Sequence, residues 1–137
     1  MISQNHIFAR VPLSSGFLLG VLPLPLHLFL PVQLSYELAA ITLVLIAGIY
    51  IGYAFKDGRP KIVFLEFFIA LAFAAAAWIG LNGYPYVIVG ALALHGLWDL
   101  LHHNLIKTVV PRWFIPFCVI CDWVMAGSLT LIWSFLS

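Results

Sequence analysis

The sequence predicts an all-α, integral-membrane bundle: four helices running up and down, preceded by a proline-rich segment. Three observations carry this. The chain of 137 residues is 64% hydrophobic and only 8% charged, with a mean hydropathy of +1.12. A water-soluble domain carries about a quarter charged residues, so this chain lacks the polar surface it would need. Four apolar runs approach the roughly 20 residues that cross a hydrocarbon core. The turns between them are short, which makes neighbouring helices antiparallel. A formal net charge of +1 offers nothing to nucleic acid.

The elements follow in order. Residues 11–31, VPLSSGFLLGVLPLPLHLFLP, are apolar but interrupted by Pro23, Pro25 and Pro31. Proline removes a backbone donor and kinks a helix, and lipid does not tolerate irregular backbone. The expectation is a short helix near Ser14–Leu22, then an irregular stretch on the bundle or at the interface. A fifth, broken span is the alternative. Met1–Arg10 has one Arg and no small-residue cleavage site follows, so no cleaved signal is expected. Spans are expected over about 33–55, 62–81, 86–106 and 113–136, all in a single domain. KDGRPK (Lys56–Lys61) and NGYPY (Asn82–Tyr86) are turns by their Gly and Pro.

Lys56, Arg59 and Lys61 share one loop, and Lys107 and Arg112 another on the same side of the bundle. The Asn82–Tyr86 turn has no charge. The positive-inside rule then places the basic loops in the cytoplasm and the C-terminus outside, in a bacterial inner membrane. Tyr84, Tyr86, Trp113 and Trp133 near span ends suit an aromatic belt. GIYIG (Gly48–Gly52) and AFAAAAWIG (Ala72–Gly80) allow close helix approach, within the bundle or in a homodimer.

Ionisable side chains inside spans are costly and mark function. Here they are Glu37, Glu66, His95, Asp99, His102, His103 and Asp122. At about 100° per residue, the four on HGLWDLLHH (95–103) fall in one sector of roughly 100°, so that face must turn inward. At about 1.5 Å per residue, Glu66, Asp99, His102, His103 and Asp122 share a depth in the cytoplasmic half. His95 lies nearer the centre. Glu37 lies about 28 Å from Lys56, near the opposite surface, and drops out.

Imidazole and carboxylate together suit a divalent metal such as Zn or Fe. His95, Asp99, His102 and His103 would be ligands, with Glu66 and Asp122 completing the shell. DLLH (99–102) resembles the Glu-x-x-His spacing of di-iron bundles, with Asp for Glu. A polar network without metal is the bland alternative. Glu66, Asp99 and Asp122 are also the candidate acids and bases. Trp98 and Trp123 could wall a cavity for an apolar substrate, and Arg59 and Arg112, with Lys56 and Lys61, could hold an anionic headgroup at its mouth. Cys118 and Cys121 form a CxxC: a redox pair exchanging electrons with quinone, or two small residues packing in the bundle.

HGLWDLLHHN and VPRWFIPFCVICDW resemble paired motifs in a family of small bacterial four-span membrane proteins of unknown function, over about residues 91–127. That resemblance implies a membrane bundle and no activity. DLLHH is similar to one histidine box of fatty-acid desaturases, with Asp for the first His. HGLWD with Glu66 is similar in arrangement to sterol isomerases of the emopamil-binding type.

The function expected is an intramembrane, metal-dependent enzyme acting on a lipid or isoprenoid-like, apolar small-molecule substrate. A metal-free acid/base isomerase or cyclase is the near variant. A small proton- or ion-coupled transporter, an accessory subunit of a membrane complex and a thiol/quinone oxidoreductase are the alternatives.

Overall fold

The computed structural model describes residues 11–106 and 108–136, without the side chains of Val11, Pro12, His103 and Asn104. The expectations for residues 1–10, for Lys107 and for the His103 side chain fall outside the described residues. Among the described residues every regular element is a helix: α1 (Val11–Val21), α2 (Leu24–Phe29), α3 (Val32–Asp57), α4 (Pro60–Leu81), α5 (Tyr86–Asn104) and α6 (Phe114–Leu136). They pack as a bundle. The main neighbours are α3 with α4, α5 with α6, and α1 with α6, while α5 also touches α3 and α4.

α3, α4 and α6 are each long and apolar enough to cross a membrane. The expected span over 86–106 is a helix too, Tyr86–Asn104, and its described apolar part is Tyr86–His102. The outer surface of the helices carries many exposed apolar side chains, Phe64, Phe68, Trp78 and Phe135 among them, as expected of helices that face lipid.

The prolines do less damage than expected. Pro23 occupies the N-cap of α2 and Pro25 lies in its first turn, where a missing N–H has no helical acceptor to lose. The stretch after α1 is therefore a second short helix, not irregular chain. Gly58, at φ 81°, ends α3 by returning its N–H to Ala54 O at 3.1 Å. This left-handed cap lets Pro60 start α4 at once.

Each buried stripe follows helical spacing. On α3 it is Ser35, Ala39, Leu43, Ala47, Tyr50 and Ala54. On α5 it is Ile88, Leu92, His95, Asp99 and His102. On α6 it is Ile115, Val119, Asp122, Met125, Leu129 and Trp133. The stripes form two apolar clusters, one around Leu43, Leu92, Leu129 and Trp133 and one around Tyr50, Ile115 and Val119. His95, Asp99 and Asp122 fall between them in the sequence of their helices, so the polar layer is closed off above and below.

The close helix contact comes from an unexpected pair of glycines. On α1, Gly16 meets the backbone of Phe117 and Gly20 meets the Cys121 carbonyl and the Val124 side chain. Gly48 and Gly52, by contrast, have open space where a Cβ would stand. GFLLG, not GIYIG, therefore makes the close approach inside this bundle. Gly16→Ala is expected to lose about 1–3 kcal/mol, as a methyl forced against backbone does. Gly48→Ala should be neutral or stabilising by up to about 1 kcal/mol, from helix propensity alone. Thermal unfolding in detergent compares the two, and equal effects would contradict the α1–α6 contact.

Candidate functional site

Glu66, His95, Asp99, His102 and Asp122 are all buried, at 2%, 1%, 0%, 5% and 1% exposure. The rotation of α4 and α6 therefore turns both of their acids inward. Glu37 is exposed and apart from them. The five residues divide into two groups that differ in one respect: whether their polar atoms are satisfied.

The first group is closed. His102 Nδ1 donates to Trp98 O at 2.9 Å, and its Nε2 bonds Glu66 Oε1. A carbonyl oxygen can only accept, so Nδ1 carries a proton. A second proton must then lie between Nε2 and Oε1, on one atom or the other. Trp98 Nε1 donates to Glu66 Oε2 at 3.3 Å, and its ring meets His102 edge to face at 4.9 Å. Both imidazole nitrogens and both carboxyl oxygens thus have partners. This set ties α4 to α5, and α4 needs the tie, because it buries little else.

The second group is open. His95 Nδ1 hydrogen-bonds Asp122 Oδ2 at 2.7 Å and lies 3.7 Å from Asp99 Oδ2. One ligand atom from each of His95, Asp99 and Asp122 falls within 4.8 Å of the others. Tyr50 on α3 donates its hydroxyl to Asp99 Oδ1. Asp99 Oδ2 and His95 Nε2 are buried with no hydrogen-bond partner. Native interiors leave few polar atoms in that state, and each one asks for an explanation.

Tyr50 joins the groups. Its ring stacks on His102 at 4.3 Å between centroids while its hydroxyl holds Asp99. Sequence reading passed over it, although a signal existed. It is the polar member of the α3 stripe at the right depth, about 9 Å from Lys56 by helical rise. A further buried set joins His27 and Ser35, which the sequence analysis does not single out, to Trp133, which is fully buried and not in the aromatic belt expected of it. Ser35 Oγ meets His27 Nδ1 at 2.7 Å and accepts from Trp133 Nε1 at 2.8 Å, pinning α2 to α3 and α6. The signal there was a serine in register with Ala39 and Leu43.

An apolar cavity of about 410 Å³ runs between α1–α2, α3 and α6, and Asp122 is among the residues that line it. Its rim residues Leu19, Leu22, Leu26 and Ile49 are exposed, so it opens sideways through the apolar outer surface. The residues expected to touch substrate lie elsewhere. Trp98 braces Glu66. Trp123 lies over Gly96, with Nε1 donating to Ala93 O at 3.1 Å. Arg59 pairs with Asp57 in the loop, Nε to Oδ1 at 2.6 Å, which holds the Asp57 carboxyl below its usual range. Arg112 is exposed just before α6. Cys118 and Cys121 are free, buried thiols that line the cavity.

The chain is therefore a helical bundle that buries a His/Asp/Asp group, one member of which, Asp122, lines an apolar cavity. It belongs to the DUF6010 family, a family of unknown function, which matches residues 12–136. No curated protein and no solved structure matches it.

Removing Glu66 should unfasten α4. Glu66→Ala leaves the His102 and Trp98 donors without an acceptor and is expected to lose about 3–5 kcal/mol, as breaking a buried pair does. Glu66→Gln keeps an amide oxygen and should lose markedly less. If both variants melt at the same temperature in detergent, the pair is not what fastens α4.

Proposed function

We propose that this protein is an intramembrane enzyme acting on a lipid or isoprenoid-like substrate, with a divalent metal, Zn or Fe, held by His95, Asp99 and Asp122. The observation that carries the reading is an unsatisfied, buried carboxyl oxygen, Asp99 Oδ2, in a group whose third member, Asp122, lines an apolar cavity. Charge supports it. Glu66, Asp99 and Asp122 share the interior with His95 and His102, and no lysine or arginine among the described residues is buried with them. Even with both imidazoles charged, one negative charge of the three is left over. An uncompensated buried charge costs several kcal/mol, so a proton or a cation has to make up the difference.

One imidazole and two carboxylates suit Zn or Fe chemically. A cation there would supply Lewis acidity toward a substrate oxygen. Asp122 lines the cavity and is the residue that would touch substrate. Asp99 stands behind it, oriented by Tyr50. Glu66 and His102 position Tyr50 and α5 without meeting the substrate. The site opens toward lipid, so the membrane itself would deliver an apolar substrate. By the positive-inside rule the basic loops lie in the cytoplasm of a bacterial cell and the C-terminus outside its inner membrane.

A metal-free acid/base isomerase or cyclase is the second reading, and one distance favours it. Ligand atoms about 2.0–2.2 Å from one ion stand roughly 3.4 Å apart in a tetrahedral shell. His95 Nδ1 and Asp122 Oδ2 at 2.7 Å form a direct hydrogen bond instead, and would have to separate to admit an ion. Elemental analysis of untagged protein, purified in detergent without chelator, decides between the two. Stoichiometric metal is expected in the unmodified chain and in Glu66→Gln, and should be lost in Asp99→Asn and Asp122→Asn. No metal after reconstitution with Zn or Fe would sink the metal reading and leave the acid/base one.

A further inference from the structure

We infer that α2 is a hinged flap at the mouth of the apolar cavity, that the His27–Ser35–Trp133 set is its latch, and that releasing the latch widens the lateral entrance for a molecule arriving from lipid. Neither a metal nor turnover is needed for this movement.

The helical backbone is interrupted on both sides of α2. Pro23 and Pro25 have no N–H, so Leu19 O and Val21 O lose the donors that would have continued α1 into α2. Beyond α2, Leu30 and Pro31 are extended, with ψ of 151° and 144°. The six residues of α2 can therefore turn as a unit between two hinges. Side chains hold the two N-terminal helices very differently. α1 is seated on α6 through Gly16 and Gly20. α2 buries one side chain, His27, and leaves Leu26, Leu28 and Phe29 exposed. His27 Nδ1 lies 2.7 Å from Ser35 Oγ, which Trp133 Nε1 meets at 2.8 Å. An indole N–H only donates, so Oγ accepts from it and can give its own proton to the imidazole. Swinging α2 outward thus breaks one buried hydrogen bond and uncovers one buried side chain. The mouth is where such a swing is felt. Its exposed residues are Leu19, Leu22 and Leu26 of the α1–α2 segment and Ile49 of α3, so the position of α2 sets its width. The latch stands apart from the polar site, with Trp133 about 16 Å along α6 from Asp122 by helical rise.

Cys118 and Cys121 line the cavity as free, buried thiols and serve as native reporters of its mouth. The test compares variants of the full chain in detergent, at one pH, by the rate at which N-ethylmaleimide labels these thiols. Hydrogen–deuterium exchange read by mass spectrometry follows α2 itself. Ser35→Ala removes the hydroxyl and should speed labelling about tenfold, the equivalent of about 1.4 kcal/mol. Exchange should rise over Leu24–Phe29 and stay unchanged in α3–α6. Pro25→Ala acts at an exposed position outside the cavity lining. It supplies an N–H that can donate to Val21 O, stitches α2 to α1, and should slow both labelling and exchange. Unchanged labelling in Ser35→Ala overturns the inference, whether or not α2 exchanges faster. So does a rise in exchange spread equally over α3–α6, which would make the set a general fastening of the bundle. If Ser35→Ala does not fold, Pro25→Ala decides alone, and labelling that is unchanged or faster there overturns the inference. A chain that holds no metal leaves all of these outcomes as they are.

Discussion

The arrangement of this bundle depends on one constraint: carboxyl groups held in an apolar interior must find donors there. No buried lysine or arginine is at hand among the described residues. Helix rotation is therefore set by polar contacts as much as by packing. α4, which buries few side chains, turns Glu66 toward His102. α6 turns Asp122 toward His95. α3 brings Tyr50 to Asp99. Moving any of these helices by a fraction of a turn would strand a carboxyl group in hydrocarbon.

The two polar groups answer that constraint differently. Around His102 every donor finds an acceptor, and the result resembles a structural fastening. Around His95 the accounting stays incomplete, with Asp99 Oδ2 and His95 Nε2 left over. A fully satisfied network gains little by reacting, whereas one held open by its surroundings is available to a proton, an ion or a substrate. The cavity reaches the open group, through Asp122, and not the closed one, which is why we propose chemistry at Asp122 and Asp99 and support from Glu66, His102 and Tyr50.

The N-terminal helices turn a bundle into a container. α1 fits against α6 through Gly16 and Gly20, and α2 is pinned by the His27–Ser35–Trp133 set. Together they wall one side of the cavity with leucines. α1 approaches α6 closely, and the gap beside it is left toward α3. Pocket and close contact thus arise from the same short segment.

Much of this was legible in the sequence. Apolar runs and turn residues determined the helices, because backbone groups in an apolar setting must bond within their own helix. The 3.6-residue period determined that His95, Asp99 and His102 share a face, and burial determined which way it points. Spacing along one helix says nothing about rotation of the next. Only the tertiary structure decided that Glu66 pairs with His102 while Asp122 pairs with His95, that Tyr50 bridges them, and that Trp98 meets Glu66, Trp123 lies against Gly96 and Arg59 pairs with Asp57. It also decided that GFLLG rather than GIYIG makes the close contact, since both patterns are equally good until a partner helix chooses one. What a helix is follows from its own residues. Which atoms it meets depends on distances through space that no single segment encodes.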